Sequence, residues 1–294
     1  MTHVLDSNRP NGQDDCDASV RIVVVAAFDI EDLLACLRLD VVDMGAVEGR
    51  NLPIEYHRVF GGQLLAQAIA AASQASPGKS VKSMSIVFAR EGNTGTPMRY
   101  RVDKLHDGRT FGTTDVVASQ GDRIVASAVV SMHVDEDGWH RCDSPPAVGP
   151  PSDATPVDLA MVPWETRVVG GVDLSSRDSG PASLEWWSRT PPLPDRRHVH
   201  QGLLAHATDL TLIGTALRPF DGVSQADSTV TLHTAVTSHS IWFHQPFRAD
   251  EWLLVVQDSP VVACGRAFGR GDVFTASGDL VASFSQESLV RRLP

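Results

Sequence analysis

The same short pattern occurs twice in this chain, and a duplicated pattern restricts it to folds built from two like units. Leu64-Leu65-Ala66-Gln67-Ala68-Ile69-Ala70 reads against Leu203-Leu204-Ala205-His206-Ala207-Thr208-Asp209. Ser85-Ile86-Val87-Phe88 reads against Ser240-Ile241-Trp242-Phe243, and Gly121-Asp122-Arg123-Ile124-Val125-Ala126-Ser127 against Gly278-Asp279-Leu280-Val281-Ala282-Ser283. Each half therefore runs helix, strand, further strands. Chance explains one alanine-rich match; three in the same order indicate duplication. The repeat also breaks informatively, because Ala70 becomes Asp209. A carboxylate replacing a small residue on an apolar helix is a site candidate.

At 294 residues the chain has length for about two units. No run approaches the ~18 consecutive apolar residues of a membrane span. The short apolar run at 20–28 follows Asp14, Asp15 and Asp17, where a secretory signal would be basic. A cytoplasmic protein with a disordered lead-in over residues 1–19 is expected. Cys16, Cys36, Cys142 and Cys264 have no paired spacing, which fits neither a disulfide framework nor a zinc knuckle. The net charge of -11 argues against nucleic-acid binding but leaves room for an anionic small ligand at a helix N-terminus.

Residues 28–37 read as a short helix opened by acids, and 40–47 as a strand. Gly61-Gly62 leads into a helix over 63–75 with no charged residue, which a surrounding sheet must bury. The period then changes to two: 81–88, 98–105, 109–119 and 123–133 read as strands separated by Gly92-Asn93, Asp107-Gly108 and Gly121-Asp122. These elements predict an N-terminal unit over 20–134. Six prolines mark 135–163 as a connector, and a C-terminal unit occupies 164–294. Within it, 168–174 and 185–188 read as strands and 200–217 as the second helix. Strands follow at 231–247, 251–258, 263–275 and 280–290, with a hairpin turn at Ser277-Gly278-Asp279. A buried helix followed by an antiparallel meander, twice, is an α+β arrangement.

No Gly-x-Ser-x-Gly elbow, phosphate loop or paired-histidine zinc helix occurs. His198 with His200 and His239 with His244 lack a carboxylate or thiolate at ligand spacing. No metal or cofactor is expected. These histidines read as polar caps, sheet-face residues or hydrogen-bond donors.

Arg58-Val59-Phe60-Gly61-Gly62-Gln63-Leu64-Leu65-Ala66-Gln67-Ala68, Asp107-Gly108-Arg109-Thr110-Phe111 and the run from His239 through Trp242-Phe243-His244-Gln245-Pro246-Phe247 to Leu254 resemble the acyl-CoA thioesterase II family. Gly269-Arg270-Gly271 and Gln286-Glu287 extend the likeness, which spans about residues 28–291. The Trp-Phe-His-x-Pro-Phe segment is its specific part. The resemblance implies a double hotdog, with each central helix wrapped by a curved antiparallel sheet. It also implies hydrolysis of acyl-CoA to a free (fatty) acid and coenzyme A without a metal or redox cofactor, and a homo-oligomer, a dimer of double hotdogs or larger. No membrane partner is expected from the hydropathy. Its catalytic set is an aspartate, a Thr or Ser, and a glutamine that together hold a water. The aspartate falls on Asp209 and the glutamine on Gln286; the hydroxyl position falls on Val236.

Valine cannot hold a water. Thr234 and Ser238 share the Val236 face of a regular strand, and Thr237 joins them only if a bulge intervenes. Loss of a hydrogen bond to a transition-state group costs on the order of 10²-fold in rate. The sequence also has Lys82, Ser85, Val87 and Arg90-Glu91-Gly92 where the family commonly carries a histidine pair, an aromatic and Arg-Pro-Gly. Two alternatives remain at this level. One is an acyl-CoA binding or sensing protein, motivated by Val236. The other is a hotdog hydratase, disfavoured because Gly214 stands where its histidine belongs.

Overall fold

The computed structural model describes residues 28–54, 56–228 and 230–293, so the lead-in expected over 1–19 lies outside the described residues. In chain order the helices are α1 (Ile30–Cys36), α2 (Gly61–Ala75), α3 (Arg197–Thr208) and α4 (Leu212–Leu217). The first six strands are β1 (Asp40–Asp43), β2 (Ala46–Gly49), β3 (Ser80–Phe88), β4 (Met98–Asp107), β5 (Phe111–Gln120) and β6 (Arg123–His133). Then come β7 (Thr155–Leu159), β8 (Val162–Val168), β9 (Ser183–Arg189), β10 (Leu232–Phe243), β11 (Leu253–Ala263), β12 (Arg266–Thr275) and β13 (Leu280–Arg292).

Alternating side chains on these strands bury one face, and the strands pair into one sheet ordered β1-β2-β4-β5-β6-β3-β10-β13-β12-β11-β9-β8-β7. Outward from the β3–β10 seam, β6, β5 and β4 follow on one side and β13, β12 and β11 on the other. Ser85 and Ser240, equivalent in the repeat, pair across the seam with their hydroxyls 2.9 Å apart. A pseudo-two-fold axis requires that meeting of equivalents. The architecture is the α+β double hotdog.

Residues Gly62 to Ala72 of α2 are all buried, which explains the lack of a polar stripe. Small residues let α2 and α3 cross closely and antiparallel: Gly62 abuts His206, and Gly202 abuts Ala66. Leu65, Ile69, Leu203 and Trp186 fill the space between helices and sheet. Each such fully buried aliphatic side chain contributes roughly 1.5–3 kcal/mol.

Four local expectations change. The strand read over 40–47 is a hairpin of β1 and β2, turned at Gly45 with φ +75. The Pro-rich stretch 135–163 contains β7 and the start of β8. The strand read at 168–174 lies upstream as β8, because Gly170 and Gly171 (φ +69 and +65) end it. The single helix read at 200–217 breaks into α3 and α4 at residues 209–211. There Thr208 Oγ1 bonds back to the Ala205 carbonyl and Thr211 Oγ1 is drawn to Gln257.

Candidate active site

Asp209 is the C-cap of α3 and is only 3% exposed. The start of α2 meets it. Phe60 provides no side-chain cap there, so α2's first amides have no intrahelical partner. A Cβ on Gly61 would lie 2.7 Å from Asp209 Oδ2, and one on Gly62 would collide with the His206 carbonyl. Glycine at both positions therefore permits the positive end of α2 to approach the carboxylate. Burial raises the Asp209 pKa to about 7, against the pull of the Gly62 backbone amide and then of the Arg58 guanidinium. Arg58 itself is held by Glu91 at 2.7 Å and by the Thr234 carbonyl at 2.9 Å.

The register of β10 on β13 places His239 opposite Gln286, and both side chains are buried. His239 Nδ1 lies 3.2 Å from Gln286 Oε1 and 3.9 Å from Asp209 Oδ1; its Nε2 lies 3.2 Å from Thr208 Oγ1. Gln286 Nε2 donates to Ser288 Oγ at 3.0 Å. Burial lowers the His239 pKa to about 4, with the Gln286 hydrogen bond opposing. The ring is therefore neutral at pH 7, and its 3.9 Å approach to Asp209 is not an ion pair. The Nδ1–H tautomer fits the Gln286 oxygen that faces it. In it Nδ1–H donates to Gln286 Oε1, Gln286 Nε2 donates to Ser288, and Nε2 accepts, dividing the single Thr208 hydroxyl proton with the Ala205 carbonyl. Asp209 Oδ1 is left as a buried acceptor with no partner among the described residues.

Asp209 and Gln286 thus come together through His239. The hydroxyl candidates do not join them. Thr234 Oγ1 bonds Ser228, and Thr237 Oγ1 bonds the Glu287 carbonyl at 3.0 Å. Ser238 is half-buried beside Val87 and Glu287. A bulge does fall between Val236 and Ser238, and it changes which face of β10 looks inward, from Leu232 and Thr234 to His239 and Ile241. Val236 pairs with Ser288, so the hydroxyl that contacts Gln286 stands across the strand from the valine.

Among the described residues the polar set occurs once. At the repeat-equivalent place, Ala70, Met84 and Val130 stand where Asp209, His239 and Gln286 do, and all three are buried. Met84 pairs with Val130 as His239 pairs with Gln286.

Residue-by-residue reading missed His239, Ser288, Thr208 and the contact role of Gly61-Gly62. Ser288 was accessible in principle, since it lies two residues from Gln286 and shares its strand face. His239 was visible only as a sheet-face histidine. His200 and His244 make ordinary hydrogen bonds, to the Ala249 amide and the Ser283 hydroxyl.

The acyl-CoA thioesterase family model matches residues 163–289, and the acyl-CoA thioesterase N-terminal domain model matches 52–133. The solved acyl-CoA thioesterase II TesB2 of Mycobacterium marinum is 32% identical with a TM-score of 0.75, over 89% of this chain and 98% of that one. The chain belongs to the acyl-CoA thioesterase II family. Acyl-CoA thioesterase 2 of Haemophilus influenzae is 29% identical over 89% of this chain and 98% of its own length. Human acyl-coenzyme A thioesterase 8 is 28% identical over 88% of each chain. A polyketide dehydratase domain, 12% identical with a TM-score of 0.52, shares the hotdog fold alone with this family member.

Proposed function

We propose that this thioester hydrolase cleaves acyl-CoA to a free acid and coenzyme A with Asp209 as general base and Gln286 holding the attacking water. Water adds to the thioester carbonyl while Asp209 Oδ1 takes its proton. With the Gly62 amide on Asp209 and the Gln63 amide on the Phe60 carbonyl, the Gly61 amide stabilises the oxyanion, and the proton then passes to the departing coenzyme A thiolate. The observation that carries this reading is a buried carboxyl of near-neutral pKa, with one oxygen unpartnered among the described residues, linked through His239 to an oriented glutamine amide. In this reading Ser288 and His239 orient Gln286, and that arrangement compensates for Val236.

Thiol release from short to long acyl-CoAs, followed with a chromogenic disulfide, tests it. Asp209→Asn is expected to lower kcat by about 10²-fold or more with an unchanged circular dichroism spectrum. Acyl-CoA bound by the wild-type chain without thiol release would sink the proposal. The outer sheet face at the seam exposes Val87, Val129 and Trp242, and we take it as the surface a second copy covers. A monomer in light scattering at working concentration would contradict that assignment.

A further inference from the structure

Residues 136–145, on the way from β6 to β7, make no backbone hydrogen bond with the described residues. The segment nevertheless lies on the β12–β13 turn, where Pro145 Cδ comes within 3.4 Å of a Cβ built on Gly278. At that contact His140, Cys142 and Asp279 converge, with their ligand atoms all within 4.8 Å of one another. We propose that His140, Cys142 and Asp279 bind one zinc-like divalent cation that clasps this connector to the last hairpin.

The donor set is the first argument. Imidazole nitrogen, thiolate sulfur and carboxylate oxygen together suit Zn2+, whereas Mg2+ and Ca2+ take oxygen ligands. Geometry is the second. Bonds of about 2.0–2.3 Å in a tetrahedral site separate ligand atoms by roughly 3.3–3.8 Å, so closure by about 1 Å suffices. The connector, free of backbone hydrogen bonds over this stretch, supplies that movement. Asp279 is oriented beforehand. Its Oδ2 accepts from Ser277 Oγ at 2.9 Å and Thr275 Oγ1 at 3.3 Å, while its own N–H donates to Thr275 Oγ1. Arg141, between the two connector ligands, is paired with Asp143 at 3.0 Å, which offsets its charge. On binding, the Cys142 thiol loses its proton to solvent and the thiolate bonds the cation; water fills the fourth position. Asp279 precedes Gln286 by seven residues on an extended strand, roughly 20 Å, so this site is separate from Asp209.

The experiment is Co2+ titration of the untagged full chain, read by absorption. One equivalent is expected to give a thiolate-to-cobalt charge-transfer band, which one equivalent of Zn2+ abolishes. Cys142→Ser should remove the band, and His140→Ala and Asp279→Asn should each weaken binding by at least about tenfold. Trypsin gives an independent readout, because Zn2+ should slow cleavage after Arg141 in the wild type but not in Cys142→Ser. No charge-transfer band, or a band that survives Cys142→Ser, would overturn the proposal.

Discussion

With its pKa raised to about 7 by burial, Asp209 is partly protonated at neutral pH, and only its ionised form can accept a proton from water. The kcat/KM profile is therefore expected to rise with pH through an acid limb near 7. Arg58 draws the Asp209 pKa down, so Arg58→Ala should move that limb to higher pH, which a pH–rate profile measures directly. Buried His206 and His239 make stability depend on pH as well. Their folded pKa values of about 4 lie below the usual 6.5, so the unfolded chain binds more protons in that window. Their contribution is complete above pH 6.5 and is lost as pH falls towards 4. Urea midpoints at pH 7 and 5 should show that fall, reduced in His239→Gln. Asp209, raised from 3.8, works the other way and loses stability as pH rises towards 7. The Asp-for-Ala asymmetry of the repeat was legible at this scale. The hydroxyl was not, because the bulge at Thr237 changes strand parity without a residue type that announces it.

The start of α2 shows how an element places the site. Gly61→Ala would drive a methyl towards Asp209 Oδ2, at a cost of about 1–3 kcal/mol, and should lower turnover by displacing the carboxylate. Thermal unfolding together with thiol-release rates checks both effects. Elements with strong local signals were readable: β6 runs over the predicted 123–133, and uncharged α2 is buried. The break after α3 was hidden, since residues 200–217 hold no proline and the turn depends on Thr211 reaching Gln257 on β11. The β1–β2 hairpin was hidden for a similar reason, as one positive-φ glycine inside an apolar alternation looks like a continuous strand.

Across the whole molecule, the β3–β10 pairing makes two repeated units one sheet, so they should unfold together. Fluorescence and circular dichroism are expected to give coincident urea transitions. Ile241→Ala, fully buried at the seam, should cost about 2–5 kcal/mol while keeping the transition single. The sequence by itself determined that there are two like helix-and-sheet units and that the second carries the carboxylate. Those features follow from repeat order, from period-two alternation and from one substitution, all of which are local along the chain. Only the tertiary structure decided what stands around Asp209: Gly61 and Gly62 from the other half, His239 through strand register, and Ser288 opposite Val236. It also brought His140 and Cys142 to Asp279. Such meetings depend on register, bulges and the crossing of two helices, and these are set by the packing of distant segments rather than by the residues next to each side chain.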